Sequence, residues 1–359
     1  MAGPTLAYWL ARNGFQPTVV ERAQGQRSSG NPVDVRGPAL PVAERMGIMS
    51  ALREVATPVT AMSVLNADGR QVTRVRIGTS RSAAGNSEVE VPRGDLADVL
   101  YRAARNDAEF LFDDTITALN QDGDGVDVTF DRAAPRRFDL VVGADGLHSA
   151  VRRLAFGPER DYVRHRGVYV ATMPLGEDVD HPQDVLLYNT PGRLVSIHPS
   201  RGKALVAFIF RGPAIAGFDY RDTEQHKQIV TDAYAGAAWR VPDLLDRLKQ
   251  TDDLYFDSVS QVRLPNWSRG RIALLGDAAS CVSLFGDGSS LAMAGADTLA
   301  SALAGAADHN DAFRRYEAAH RELTGPKQRA IRLAAALIVP KTRAGIAVRN
   351  LTARLWLSR

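Results

Sequence analysis

Residues 271–303, RIALLGDAASCVSLFGDGSSLAMAGADTLASAL, constrain the fold more than any other stretch of the chain. They open on Ile272-Ala273-Leu274-Leu275, a short apolar run of the kind that makes a fully buried strand. Gly276-Asp277 ends that strand, and a loop of small residues follows, with glycines at Gly286 and Gly288. Ser289 and Ser290 are placed to cap a helix. Along it Leu291, Ala294, Leu299, Ala302 and Leu303 recur at roughly helical spacing. A strand, an acid, a glycine loop and a helix N-terminus together make a place for a polar, electron-rich ligand. The carboxylate accepts hydrogen bonds from sugar-like hydroxyls, and the glycines let backbone N–H groups come close. The positive end of the helix favours negative charge in front of it. The same stretch also reads as an ordinary strand–turn–helix unit whose small residues serve close packing.

Two further segments bear on that choice. Leu140-Val141-Val142 is a buried-strand run leading into Gly143-Ala144-Asp145-Gly146-Leu147-His148-Ser149-Ala150-Val151-Arg152. Near the N-terminus Gly3-Pro4 opens a helix expected to end at Gly14, and the strand over 17–20 runs into Glu21-Arg22. Taken in this order, the three segments resemble the flavoprotein aromatic hydroxylases, single-component FAD monooxygenases related to p-hydroxybenzoate hydroxylase. The resemblance covers residue 1 to about Tyr316. Gly3 matches the last glycine of the family's dinucleotide fingerprint. Gly143-Ala144-Asp145-Gly146 matches its second motif and Gly276-Asp277-Ala278-Ala279 its third.

What the resemblance implies is an FAD site with named partners. Glu21, at the Rossmann distance after the fingerprint, takes the ribose hydroxyls of the adenosine, with Arg22 beside it. Asp34-Val35-Arg36-Gly37 resembles the segment whose arginine approaches the flavin, although Arg36 also reads as a surface residue. Arg93, at the start of a helix, matches an arginine that reaches the ribityl–phosphate region. Asp145 and Asp277 hold the pyrophosphate–ribityl part, and Gly146, Gly276, Gly286, Gly288, Ser289 and Ser290 complete the cradle. No side chain is assigned a catalytic role, because the cofactor carries the chemistry. The implied activity is NAD(P)H- and O2-dependent hydroxylation of an aromatic substrate through a flavin C4a-hydroperoxide, with NAD(P)H visiting transiently along a domain cleft. Within the family the chain most resembles enzymes of bulky polycyclic or polyketide substrates, including those that inactivate tetracycline and rifamycin. The rival from another class is a truncated, non-catalytic relative that binds a hydrophobic ligand without flavin.

The pattern departs from the family at two places. The fingerprint has two more glycines and a central strand ahead of Gly3, and here the numbering starts at Met1. Met1 is therefore expected to be an internal methionine, with a strand and Gly-x-Gly upstream. Val282 and Leu284 stand where the family carries prolines, in a loop about one residue short.

Beyond these motifs, hairpin signals occur at 61–78, around Ala67-Asp68-Gly69, and at Asp122-Gly123-Asp124-Gly125, with a small polar loop at 80–87. After Arg152 short strands at 167–173, 185–188, 194–198 and 204–210 follow one another without helices between them, the signature of an antiparallel sheet. Helices near 224–234 and 242–249 complete that insert. The expected fold is thus α/β: a Rossmann-like FAD-binding domain with an inserted antiparallel-sheet substrate domain and a C-terminal helical tail. The parts are 1–155 with 263–320 for FAD (carrying a substrate-side hairpin at about 61–92), 156–262 for substrate, and a basic helical segment over 321–359.

Composition excludes several classes. One cysteine, Cys281, among 359 residues permits no internal disulfide and no Cys-based zinc site; a small buried residue is the reading taken. The seven histidines lack metal-ligand spacing, and His148 and His198 read as satisfied structural residues rather than bases. No apolar run approaches the ~18 residues that span a bilayer, and no signal peptide is visible, so the cytoplasm is the expected compartment. Beyond His320 nine basic residues face Glu322 alone, which leaves the rest of the chain mildly acidic. Such a tail can sit on an anionic membrane or attract phosphates, but a solvated helix face is the preferred reading. No aromatics interleave with the charge, so nucleic acid is excluded as a partner.

Overall fold

The computed structural model describes residues 1–25, 30–76, 88–200, 204–281 and 286–357. The polar loop expected at 80–87 and positions Val282 and Leu284 lie outside them.

Helix α1 (Ala2–Arg12) buries Leu6, Ala7 and Tyr8, and ends two residues before Gly14, whose positive φ turns the chain back. It leads into β1 (Thr18–Glu21), β2 (Val33–Val35), α2 (Ala39–Arg45) and α3 (Met49–Glu54). The hairpin β3 (Ala61–Leu65) and β4 (Gln71–Arg76) precedes β5 (Val89–Val91), α4 (Arg93–Ala104) and β6 (Glu109–Phe112). A three-stranded antiparallel ribbon follows, β7 (Ile116–Gln121), β8 (Val126–Phe130) and β9 (Arg136–Phe138), and the chain re-enters the body at β10 (Val141–Gly143).

Short helices α5 (Ala150–Ala155) and α6 (Glu159–Tyr162) lead to the insert: β11 (Val163–Pro174), β12 (Asp184–Thr190), β13 (Arg193–His198) and β14 (Leu205–Arg211). Helices α7 (Thr223–Ala233) and α8 (Val241–Gln250) pack on its outer face, and β15 (Tyr255–Val262) closes it. The chain returns through β16 (Ser268–Arg269), β17 (Ile272–Leu274), α9 (Asp277–Ser280) and α10 (Asp287–Gly305). It finishes in α11 (His309–Ile338) and α12 (Arg343–Leu357). Helix α11 passes residue 321 without a break and carries Pro326 inside it.

The insert's sheet has seven strands in the order β15-β11-β14-β13-β12-β3-β4. It is antiparallel except where β12 runs parallel to β3, so the first hairpin belongs to this sheet by hydrogen bonding. The cofactor side is built differently. There β1 pairs with β6 and β10 with β17, each in parallel, as two separate ladders. One apolar core unites α1, α10 and α11 with β8, β10 and β17, through Leu6, Val128, Leu274, Leu299 and Phe313. A second joins α1, α2 and α4, and a third fills the insert between its sheet and α7–α8.

Candidate functional site

Parallel strands followed by helices leave their C-terminal ends facing one side, and a crevice forms where loops diverge there. In this chain the ends of β1 and β10, Asp277 just after β17, and the first turns of α1, α4 and α10 open on one cavity. Residues 254–259, on and just before β15, and the segment around Tyr220 wall its far side.

Ten of the thirteen residues assigned to the cofactor line this cavity: Gly3, Glu21, Arg22, Arg93, Asp145, Gly146, Asp277, Gly286, Gly288 and Ser289. Glu21 ends β1 with its Oε1 accepting from Ala23 N–H at 2.9 Å. Arg93 heads α4, its side chain passing Gly30, where a Cβ would lie 3.1 Å from Arg93 Cδ. Gly146 holds φ +81 with nothing within 4 Å of its absent Cβ, so backbone there is open to close approach.

Asp145 lines the cavity, yet its carboxylate also organises the loop. It accepts from Ser149 Oγ and, at 3.1 Å, from Val151 N–H, while Ser149 caps α5 by accepting from Arg152 N–H. Arg152, fully buried, then donates from Nη1 to Ala278 O (3.1 Å) and from Nη2 to Leu147 O. The second and third motifs are thereby fastened to each other.

Arg36, Gly276 and Ser290 stand behind the wall. Arg36 pairs with Asp287 (Nη2–Oδ1 2.8 Å) and Asp34 (Nη1–Oδ2 3.3 Å). Gly276 adopts φ +62, and its absent Cβ would lie 3.3 Å from Ala2 Cβ. Ser290 Oγ donates to Asp34 O (2.8 Å) and accepts from Arg36 N–H (3.1 Å), clasping α10 to β2. The helix begins at Asp287 with Gly286 as a left-handed cap, two residues before the expected serine caps. The serines instead lie in its first turn.

Electrostatics concentrate at the same end. Burial raises the Asp277 carboxyl above the usual carboxylate range; Arg93 opposes that rise and Asp257 adds to it. Burial likewise lifts Asp34 to about 6, against Arg36. Asp287 is held between Arg36 and Lys327, whose Nζ lies 2.8 Å from Oδ2.

Among the lining residues not assigned to the cofactor from sequence are Tyr255, Asp257 and His148, while Asp287, likewise unassigned, stands with Arg36 behind the wall. His148 lines the cavity, stacked on Tyr220 with ring centroids 4.2 Å apart. Its Nδ1 meets Glu159 Oε1 at 3.0 Å and its Nε2 Asp257 Oδ1 at 3.4 Å. Burial would depress its pKa, but those two carboxylates raise it to about 9. It is a satisfied residue, as expected, and a cationic one. His198 accompanies Glu90, with Nε2 3.1 Å from Oε1. Among the described residues no His/Cys/Asp/Glu group has metal-binding geometry.

The donor set suits a dinucleotide. Glu21 and Arg22 stand at one end of the cavity wall, Arg93 and Asp277 face each other electrostatically, and Gly288 leaves open a space 3.9 Å from Asp277 Oδ1 that a side chain would fill. The 19-residue α10 points its positive end the same way.

A family model described as an FAD binding domain matches residues 1–330. An uncharacterized protein of Mycobacterium tuberculosis is 42% identical over 288 residues, covering 79% of this chain and 77% of its own. A flavin-dependent monooxygenase of Legionella longbeachae is 34% identical over 285 residues, 79% of this chain and 72% of its own. Among solved structures, tetracycline destructase Tet(55) superimposes with a TM-score of 0.86 at 33% identity, covering 98% of this chain and 92% of that one.

Proposed function

The chain belongs to the FAD-binding family of flavin-dependent monooxygenases, and from that premise we propose that it hydroxylates a bulky aromatic or polycyclic molecule, with NAD(P)H as electron donor. The observation that carries the substrate class is the cavity. It is walled on one side by the glycine motifs and on the other by residues 254–259 of the insert, so a second molecule would sit between the cofactor motifs and the insert's sheet. The likeness to a protein called a tetracycline destructase supports the same class. The donor NAD(P)H is a cytoplasmic metabolite, and the cytoplasm is the compartment this reading requires.

Bound FAD supplies oxygen activation and transfer of one oxygen atom. The chain's own residues bind, orient and exclude water. In this reading Glu21 accepts hydrogen bonds from the adenosine ribose, and Arg22 and Arg93 offset phosphate charge. Asp277, poorly solvated, would accept from ribityl hydroxyls, and the first turn of α10 would offer its N–H groups and positive end to negative charge on the flavin. Asp145 and Arg152 keep the two glycine loops in register. Residues 1–155 and 263–320 form the cofactor part and 156–262 the substrate part.

The test is oxygen incorporation. Purified protein reconstituted with FAD should oxidise NAD(P)H slowly alone and faster with a phenolic polycycle, and the product should carry one atom of label from ¹⁸O2. Labelled peroxide with no labelled product across such compounds would set the substrate class aside. In the same preparation Asp277→Ala should bind flavin roughly ten- to hundredfold more weakly, as expected for losing a charge-assisted hydrogen bond. Unchanged flavin content would take Asp277 out of the site.

A further inference from the structure

We propose that the outward faces of α11 and α12 seat the protein on an anionic phospholipid surface. Seven large apolar side chains are exposed among the described residues, and five of them lie on these two helices. They do not scatter along them. Leu323, Ala330, Leu333 and Leu337 follow one another at intervals of 7, 3 and 4 residues, so they share one face of α11, and that face is exposed. Val348 and Leu351 do the same on α12, whose Arg349 and Asn350 face inward. Leu333 is 64% exposed, Val348 62% and Leu351 57%. This is amphipathicity turned inside out, because a helix that only covers a core places such residues beneath it.

The stripe from Leu323 to Leu337 runs about 21 Å at 1.5 Å per residue. Arg349 Nη1 donates to Leu337 O at 3.4 Å, which brings the inward face of α12 against the end of α11. Exposed apolar stripes on two neighbouring helices are the kind of surface that marks a contact site.

Charge selects the occupant. Arg329, Arg332, Lys341 and Arg343 are exposed beside the stripes and make no ion pair among the described residues, and the whole segment beyond His320 has one acid, Glu322. Leucine faces bordered by arginine and lysine suit the boundary between acyl chains and anionic headgroups, where each basic residue adds attraction. A second copy of the chain would bring like charges together across the same face. No helix among the described residues is long and apolar enough to cross a membrane, so the attachment is to the surface. A protein held there would meet polycyclic molecules that partition into lipid.

Vesicle flotation of the full chain tests this. It should float with vesicles of phosphatidylcholine mixed with phosphatidylglycerol, stay behind with phosphatidylcholine alone, and detach as salt is raised. Arg329→Gln with Arg332→Gln should lower partition roughly thirtyfold. Leu333→Ser with Val348→Ser and Leu351→Ser should abolish it at unchanged circular dichroism. Failure of the native chain to float on phosphatidylglycerol vesicles overturns the proposal, as does flotation that the arginine changes leave intact. A dimer in solution that the serine changes dissolve would assign the face to a second copy, and overturns it equally.

Discussion

At the scale of single residues, two histidines should tilt the pH dependence of stability in opposite directions. His320 is buried to 1% exposure between Trp267 and Tyr316, and neither ring nitrogen has a partner among the described residues. Burial lowers its pKa to about 4. The unfolded chain, with an ordinary value near 6.5, then binds more protons between those limits, so stability falls as pH drops from about 6.5 toward 4. His148 is the reverse case. Raised to about 9 by Asp257 and Glu159, it contributes fully below about 6.5 and loses that contribution as pH rises through 9. Urea denaturation across pH checks both. His320→Phe should flatten the acid limb and stabilise the protein at neutral pH by ~1–3 kcal/mol, since it removes buried polar atoms that nothing satisfies. His148→Gln should remove the alkaline loss. An acid limb of unchanged slope in His320→Phe would exclude His320 as its source.

Elements are governed by how β17 hands over to α9 and α10. Gly276 sits at φ +62 and ψ −137, a conformation open to glycine alone, between Ala2 of α1 and Ala292 of α10. The turn lets three elements meet without a Cβ between them. Gly276→Ala should therefore cost ~1–3 kcal/mol in strain and move the loop that carries Asp277, so flavin affinity should fall along with stability. Urea midpoints and flavin titration read the two effects, and wild-type values in both would mean the turn relaxes without consequence. Ser290 fixes the other end by bridging Asp34 O and Arg36 N–H, which explains a serine in the first turn of a helix where no cap is needed.

For the whole molecule, the cavity lies between the cofactor-side core and the insert, and is walled by both. A ligand filling it should stabilise the chain as a unit. FAD at a hundredfold its dissociation constant contributes ~2.7 kcal/mol by mass action, enough to raise the melting temperature by several degrees. Calorimetry with and without FAD should show one transition shifting upward. Two transitions, with only the first responding, would mean that the insert unfolds independently of the cofactor.

Much of this was legible in the residues. Apolar runs and 3.6-residue periods reported β1, β10, β17, the insert's strands β11–β14 and α7–α8, because both report which side of a local element is apolar, while β15 at the sheet's edge was not read. Motif order identified the family, and ten of thirteen assigned residues line one cavity. What a local pattern cannot encode is which face a distant segment will cover. That is why Arg36 and Ser290 are consumed in clasping β2 to α10, why Asp145 both faces the cavity and holds a loop, and why Asp257, 109 residues away, joins Glu159 in raising the pKa of His148. The parallel join of β12 to β3 is likewise a long-range outcome. The leucines of α11 and α12 make the point most sharply. Their helical spacing stands in the sequence, but only packing decides that those stripes face outward.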